Sequence, residues 1–234
     1  MTETWLSRVV RDNEIFNSVK CYNFYRCDRT DRRGGGVLIA VNKAIECYHV
    51  NLVSPLELVC VRLQCAYRNI ILCVCYRPPN APANFCSDLH DALNMICSRF
   101  PLAPIFLLGD FNLPLINWSG PFPAASSSSS DYSDFISLCS DFSFSQCVTE
   151  PTRITDATAN VLDLILTTDP NLASSITYLP GISDHAILNF SLQASSHVAN
   201  KSTKHLVCYV NQLRIYYLNN FHKSVSTLKR SFRF

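Results

Sequence analysis

The sequence predicts an α/β or α+β sandwich with mixed sheets. Three observations carry this. Short apolar segments rich in β-branched residues recur along the chain, and two other stretches space their apolar residues by three and four. The links between strands include a tight hairpin as well as longer crossovers. With 234 residues the chain can bury a real core.

Taken in order, GGGVLIAV (34–41) reads as a buried strand behind a glycine-rich turn. LVCVRLQ (58–64) and NIILCVCY (69–76) read as a hairpin with Ala66, Tyr67 and Arg68 near its turn. Pro78-Pro79 closes the second strand, because proline cannot extend a central strand. Phe85, Leu89, Leu93, Ile96 and Phe100 then mark one face of a helix, which Pro101 and Pro104 end. IFLLGD (105–110) is the next strand. The low-complexity run SSSSS (126–130) leads into a second helix with Phe135, Leu138 and Phe142 on one face and Ser130 or Asp131 as its cap. VLDLILTT (161–168) and HAILNFSL (185–192) are further strands, and 211–230 carries a helical apolar stripe. Residues 1–192 are expected to form one domain, with 193–234 a basic, partly helical linker or tail.

Nearly half the residues, 48%, are hydrophobic, yet no run approaches the roughly 18 to 20 apolar residues of a membrane span. The N-terminus MTETWLSRVVRDNE is polar and unlike a signal peptide. The 12 cysteines form no CxxC pair, which disfavours a zinc ribbon or redox motif and points to reduced, buried thiols of an intracellular protein. Lys229-Arg230 is too short to choose between nucleus and cytoplasm. The charge is asymmetric: residues 186–234 hold 7 Lys/Arg and no Asp or Glu, while 1–185 hold 13 against 18. A basic tail suits a polyanion such as DNA, although short basic tails are common. Arg26, Arg29, Arg32 and Arg33 could equally grip a DNA backbone or form a solvated loop.

Polar residues gather at strand ends. IFLLG runs into Asp110 and Asn112, NIILCVC ends at Tyr76, Ser183-Asp184-His185 precedes the last strand, and Asp163 interrupts VLDLIL. Near the N-terminus stands Glu3. Each has a bland reading as a turn, a loop or a satisfied buried carboxylate. Together they could assemble a phosphodiester-hydrolysing site on rigid elements. Carboxylates supply the hard oxygen ligands of a divalent cation. A histidine beside an aspartate can donate to a phosphate oxygen, and a second carboxylate can orient or deprotonate water.

These residues resemble the signature of the endonuclease/exonuclease/phosphatase superfamily. More narrowly, TETWL (2–6), RRGGGVLIAV (32–41), YRPPN (76–80), GDFNLPLINW (109–118), PTR (151–153), LDLILT (162–167) and ISDHAIL (182–188) are similar, in order and separation, to the apurinic-type endonuclease of LINE-class (non-LTR) retrotransposons. The resemblance implies a four-layered sandwich, two mixed sheets face to face and flanked by helices, with the first strand missing ahead of Met1. It implies hydrolysis of one DNA strand that depends on Mg²⁺, or alternatively Mn²⁺, and leaves the 3′-hydroxyl that primes reverse transcription. By the same resemblance Glu3 binds metal with Asp184 beside it, Tyr76 contacts the scissile phosphate, and Asp110 activates water or protonates the leaving group. Asn112 positions phosphate, Asp163 orients the catalytic His185, and Thr152 and Ser183 are lesser substrate-binding positions. The partner is DNA rather than a membrane, and relatives carry a fused reverse transcriptase that does not follow residue 192 here. Two rival readings are an inactive retrotransposon remnant that at most binds nucleic acid, and a nuclease-like hydrolase acting on a lipid headgroup.

Overall fold

A computed structural model describes residues 1–15, 21–65, 68–181, 184–194 and 204–210. Along the chain, helix α1 (Asp12–Ile15) precedes the strands β1 (Tyr22–Cys27), β2 (Val37–Asn42), β3 (Cys47–His49), β4 (Glu57–Gln64) and β5 (Asn69–Tyr76). Helix α2 (Phe85–Arg99), β6 (Ile105–Asp110), β7 (Ile116–Asn117), β8 (Ala124–Ala125) and helix α3 (Ser130–Asp141) follow. The remainder comprises β9 (Ser145–Gln146), β10 (Arg153–Ile154), β11 (Ala159–Asn160), β12 (Asp163–Thr167), a 3₁₀ turn (Pro170–Leu172), β13 (Ala173–Leu179), β14 (Ile187–Ala194) and β15 (Lys204–Val210).

The central sheet has six strands in the order β3-β4-β5-β6-β12-β9. Its β5–β6 pair is parallel and its other pairs antiparallel, so the sheet is mixed. The parallel pair requires a crossover, and α2 provides it. One sheet face packs on the helices: Cys60, Ile71, Cys73, Leu107 and Leu164 meet Phe85, Leu89, Leu93 and Ile96 of α2 and Phe135 and Leu138 of α3. Strand alternation sends Val59, Val61, Leu72, Val74, Phe106, Leu108 and Ile165 to the opposite face. There they meet Val37, Ile39 and Val41 of β2 and Leu188, Phe190 and Leu192 of β14. Phe106 and Phe190 stack with ring centroids 5.9 Å apart. The β1–β2 hairpin and the antiparallel β13-β14-β15 sheet therefore cover the same face of the central sheet.

The α/β sandwich with facing sheets is as the sequence predicts. Helices flank the central sheet; on the far side the single-turn α1 is the only α-helix among the described residues. The cap of α3 differs from expectation. Ser129 holds the N-cap position without a side-chain bond, and Asp131 instead pairs with the buried Arg77 guanidinium. Residues 204–210, which the sequence places in the tail, pair antiparallel with β14. The helix expected over 211–230 and the hairpin residues Ala66 and Tyr67 lie outside the described residues. Among the described residues no helix is long and apolar enough to cross a membrane, and the cysteines from Cys21 to Cys147 are unpaired thiols.

Candidate active site

Rungs of the central sheet explain where the polar residues go. Across four neighbouring strands Val61, Leu72 and Phe106 are laterally aligned with Thr167, and the next rung is Val59, Val74, Leu108 and Ile165. One step further along, the aligned residues are Glu57, Tyr76, Asp110 and Asp163. Laterally paired residues point to the same face of a sheet. The inter-sheet core thus changes from apolar to acidic within one step, at the ends of β5 and β6 and the start of β12. Asp110 is 4% exposed and Asp163 is fully buried.

Two neighbours hold this rung in place. Gly109 has φ +152°, and a Cβ there would penetrate the Cys75 carbonyl on β5, so only glycine lets β5 and β6 close up beside Asp110. Beyond Asp110 the chain turns sharply: the Asn112 N–H donates to Asp110 Oδ1 at 3.0 Å, an Asx turn, with Asn112 at φ +48°. Asparagine tolerates this left-handed conformation better than most residues. Asn112 Nδ2 donates to the Arg77 carbonyl at 2.9 Å. The amide has a second N–H for a ligand. Turn and site are one structure here.

His185 joins from the segment before β14. Its Nδ1 lies 2.8 Å from Asp163 Oδ2, which fixes the ring. Burial alone would lower the imidazole pKa, but the bond to Asp163 and the charges of Asp163, Asp110 and Asp184 outweigh it and raise it. Asp110 is pushed up to about 8, first by burial and then by the nearby Asp163 charge, against the opposing pull of His185. Tyr76 donates its hydroxyl to Glu3, and burial followed by this bond lifts its pKa well above the ordinary value. Asp110, Asp163 and His185 each offer a ligand atom within 4.8 Å of the others, a group that could hold a metal ion.

Thr152 anchors this arrangement from beneath. Its hydroxyl accepts the N–H groups of Leu162 and Asp163, both at 3.0 Å, and its carbonyl accepts the N–H of Ala186 at 2.6 Å. At 1% exposure it grips the backbones of both Asp163 and the His185 segment. Asp184 stands apart from the metal-spaced group: it is exposed, and its carboxylate takes Arg153 Nε at 2.6 Å. That contact holds its pKa below the usual carboxylate value. Glu3, Tyr76, Asp110, Asn112, Asp163 and His185 are therefore gathered at one end of the sandwich, with Thr152 behind them. Ser183 lies outside the described residues.

The sequence alone misses Glu57 and Arg77, and it names Arg29 only as a DNA-gripping or solvated residue. Glu57 completes the acidic rung and binds Arg29 (Nε to Oε1, 2.7 Å), whose guanidinium lies 5.6 Å from the Tyr76 ring centroid. Arg77 is buried against Asp131 and Asn112. The spacing Glu57, Val59, Val61, Leu63 is a signal for a shared face, but the register that sets Glu57 beside Tyr76 is not written in either strand.

The family described as endonuclease-reverse transcriptase matches residues 70–189. That span includes Tyr76, Asp110, Asn112, Thr152, Asp163, Asp184 and His185, and begins beyond Glu3. Among solved structures, the endonuclease domain of TRAS1, a telomere-specific non-LTR retrotransposon, is 12% identical with a TM-score of 0.56, over 74% of this chain and 81% of that one. The human nocturnin catalytic domain with bound sulfate anion is 18% identical with a TM-score of 0.50, over 82% and 79%. At these identities the likeness is one of fold. No curated protein matches the chain.

Proposed function

Because the chain belongs to the endonuclease-reverse transcriptase family of the endonuclease/exonuclease/phosphatase superfamily, we propose that it is a divalent-metal-dependent DNA endonuclease domain that nicks one strand. The observation that carries this reading is the Asp163–His185 pair set on the acidic rung beside Asp110. Such a pair, buried and bonded through Nδ1, directs the other ring nitrogen of a readily protonated imidazole at a phosphate oxygen.

The remaining residues divide the work. Asp110, next in the rung, holds or releases a proton near neutrality, as water activation or leaving-group protonation requires. Asn112 offers an amide N–H to the phosphate, and the Tyr76 hydroxyl, anchored on Glu3, lies in the rung beside Asp110. Thr152 acts by positioning, since its hydroxyl is spent on backbone amides.

The donor set fits a hard cation. Asp110, Asp163 and His185 lie within ligand spacing of one another, the Glu3 carboxylate bonded to Tyr76 adds its charge at Asp110, and the crowding of carboxylates that raises Asp110 is relieved by positive charge. Bound there, Mg²⁺ would supply charge neutralisation on the phosphate and the departing oxygen.

Incubation of the purified chain with supercoiled plasmid tests this reading. Nicking is expected with Mg²⁺, none with EDTA, and a loss of at least roughly 100-fold in Asp110→Ala or His185→Ala. Nicking by both variants at the wild-type rate would overturn the assignment, and salt-sensitive binding without cleavage would leave only nucleic-acid binding.

A further inference from the structure

Close in sequence to the Glu3 carboxylate stands a large aromatic ring in the open. Trp5 lies two residues after Glu3 and is 56% exposed. Both Glu3 (φ +49°) and Trp5 (φ +55°) have left-handed backbones, a conformation that non-glycine residues keep only when their surroundings impose it. Here the glycine loop imposes it: the Thr4 N–H donates to Gly36 at 3.2 Å and the Trp5 N–H to Gly35 at 2.9 Å. A Cβ on Gly36 would come within 2.6 Å of Thr4 Oγ1, and one on Gly35 would collide with the Arg29 guanidinium. A Cβ on Gly34 would sit 3.7 Å from the indole. The loop thus presents Trp5 outward while holding Glu3 on Tyr76. Over the indole, 5.3 Å from its ring centroid, lies the guanidinium of the exposed Arg33.

We propose that Trp5 and Arg33 form a stacking platform for an unstacked nucleobase next to the scissile phosphate. The inference rests on the nuclease reading for the phosphate, and it names the substrate class: DNA whose bases are unpaired or distorted at the nick site rather than a regular duplex. The indole offers a π-face that any base can use, and Arg33 adds cation–π contact and a phosphate partner. A regular duplex keeps its bases stacked and has no face to give.

The test uses Trp118→Phe, which removes the other tryptophan, a half-buried ring packed edge-on against Phe135, and leaves Trp5 as the sole indole reporter. In EDTA the protein is titrated with a duplex oligonucleotide carrying a two-nucleotide mismatch bubble and with its fully paired counterpart. Trp5 emission is followed alongside the anisotropy of end-labelled DNA. The bubble is expected to quench Trp5 and to bind more tightly than the paired duplex. Trp5→Ala should weaken bubble binding by roughly 5- to 150-fold, and Trp5→Phe should restore most of it. In nicking assays Trp5→Ala should raise KM with kcat nearly unchanged. Saturated binding with unmoved Trp5 emission, or a Trp5→Ala variant that binds the bubble as tightly as the wild-type protein does, overturns the platform even if nicking proceeds. Quenching without any nicking overturns the nuclease reading and keeps the platform, and absence of binding overturns both.

Discussion

Replacing Thr152 by valine removes one oxygen and almost nothing else, so the effect can be worked from the contacts. Two buried backbone N–H groups, those of Leu162 and Asp163, lose their acceptor. Each unsatisfied donor costs about 1–3 kcal/mol, and the added methyl returns about 0.8 kcal/mol. A net loss on the order of 1–5 kcal/mol follows, seen in urea unfolding as a lower midpoint at unchanged slope. Because Asp163 and the segment bearing His185 both hang on Thr152, nicking should also fall by roughly 10- to 100-fold under conditions where the variant is fully folded. Thr152→Ser keeps the oxygen and should restore activity and all but about 1 kcal/mol of stability. A Thr152→Val protein within about 0.5 kcal/mol of wild type would show that the hydroxyl is not the anchor of the Asp163–His185 pair.

Two further outcomes follow from the same rung. Gly109→Ala drives a methyl into the Cys75 carbonyl and should cost at least about 3 kcal/mol, read as a collapse of the thermal midpoint; tolerance of alanine would refute the close approach of β5 and β6. Asp110→Asn preserves the acceptor for the Asn112 N–H while removing a buried ionisable group. Since folding raises the Asp110 pKa, its contribution to stability is fully present below about 3.8 and is lost as pH climbs through about 8. In EDTA the variant should therefore gain over wild type as pH rises from 4 to 8, by a few kcal/mol at most near neutrality at about 1.36 kcal/mol per unit. A pH-independent difference would refute the buried, repelled carboxylate.

Much of the fold is legible in the sequence because burial is periodic. The α2 face from Phe85 to Ile96 and the hairpin of β4 and β5 emerge where apolar spacing predicts. Strands β1 and β13 escape because YNFYRC and ASSITYL are largely half-buried and mix polar with aromatic residues, so neither shows clean alternation. The site divides along the same line. Residues at strand ends, such as Asp110 and Asn112, stand out locally against apolar runs. Glu57, Arg29 and the anchoring role of Thr152 depend on lateral register and on a hydroxyl turned into the backbone, and no local pattern encodes those. Asp131 illustrates the opposite error: its position suits a helix cap, yet the buried Arg77 takes its charge.

The central claim is that the Asp163–His185 pair and Asp110 act together to hydrolyse a phosphodiester in DNA. It is tested most directly by end-group analysis of a labelled duplex oligonucleotide containing a mismatch bubble, incubated with the purified chain and Mg²⁺. The account predicts one strand cut to a 3′-hydroxyl that a polymerase extends, with no cut in EDTA or by His185→Ala. Intact strands with the wild-type chain, or extendable ends formed equally by His185→Ala, would contradict it.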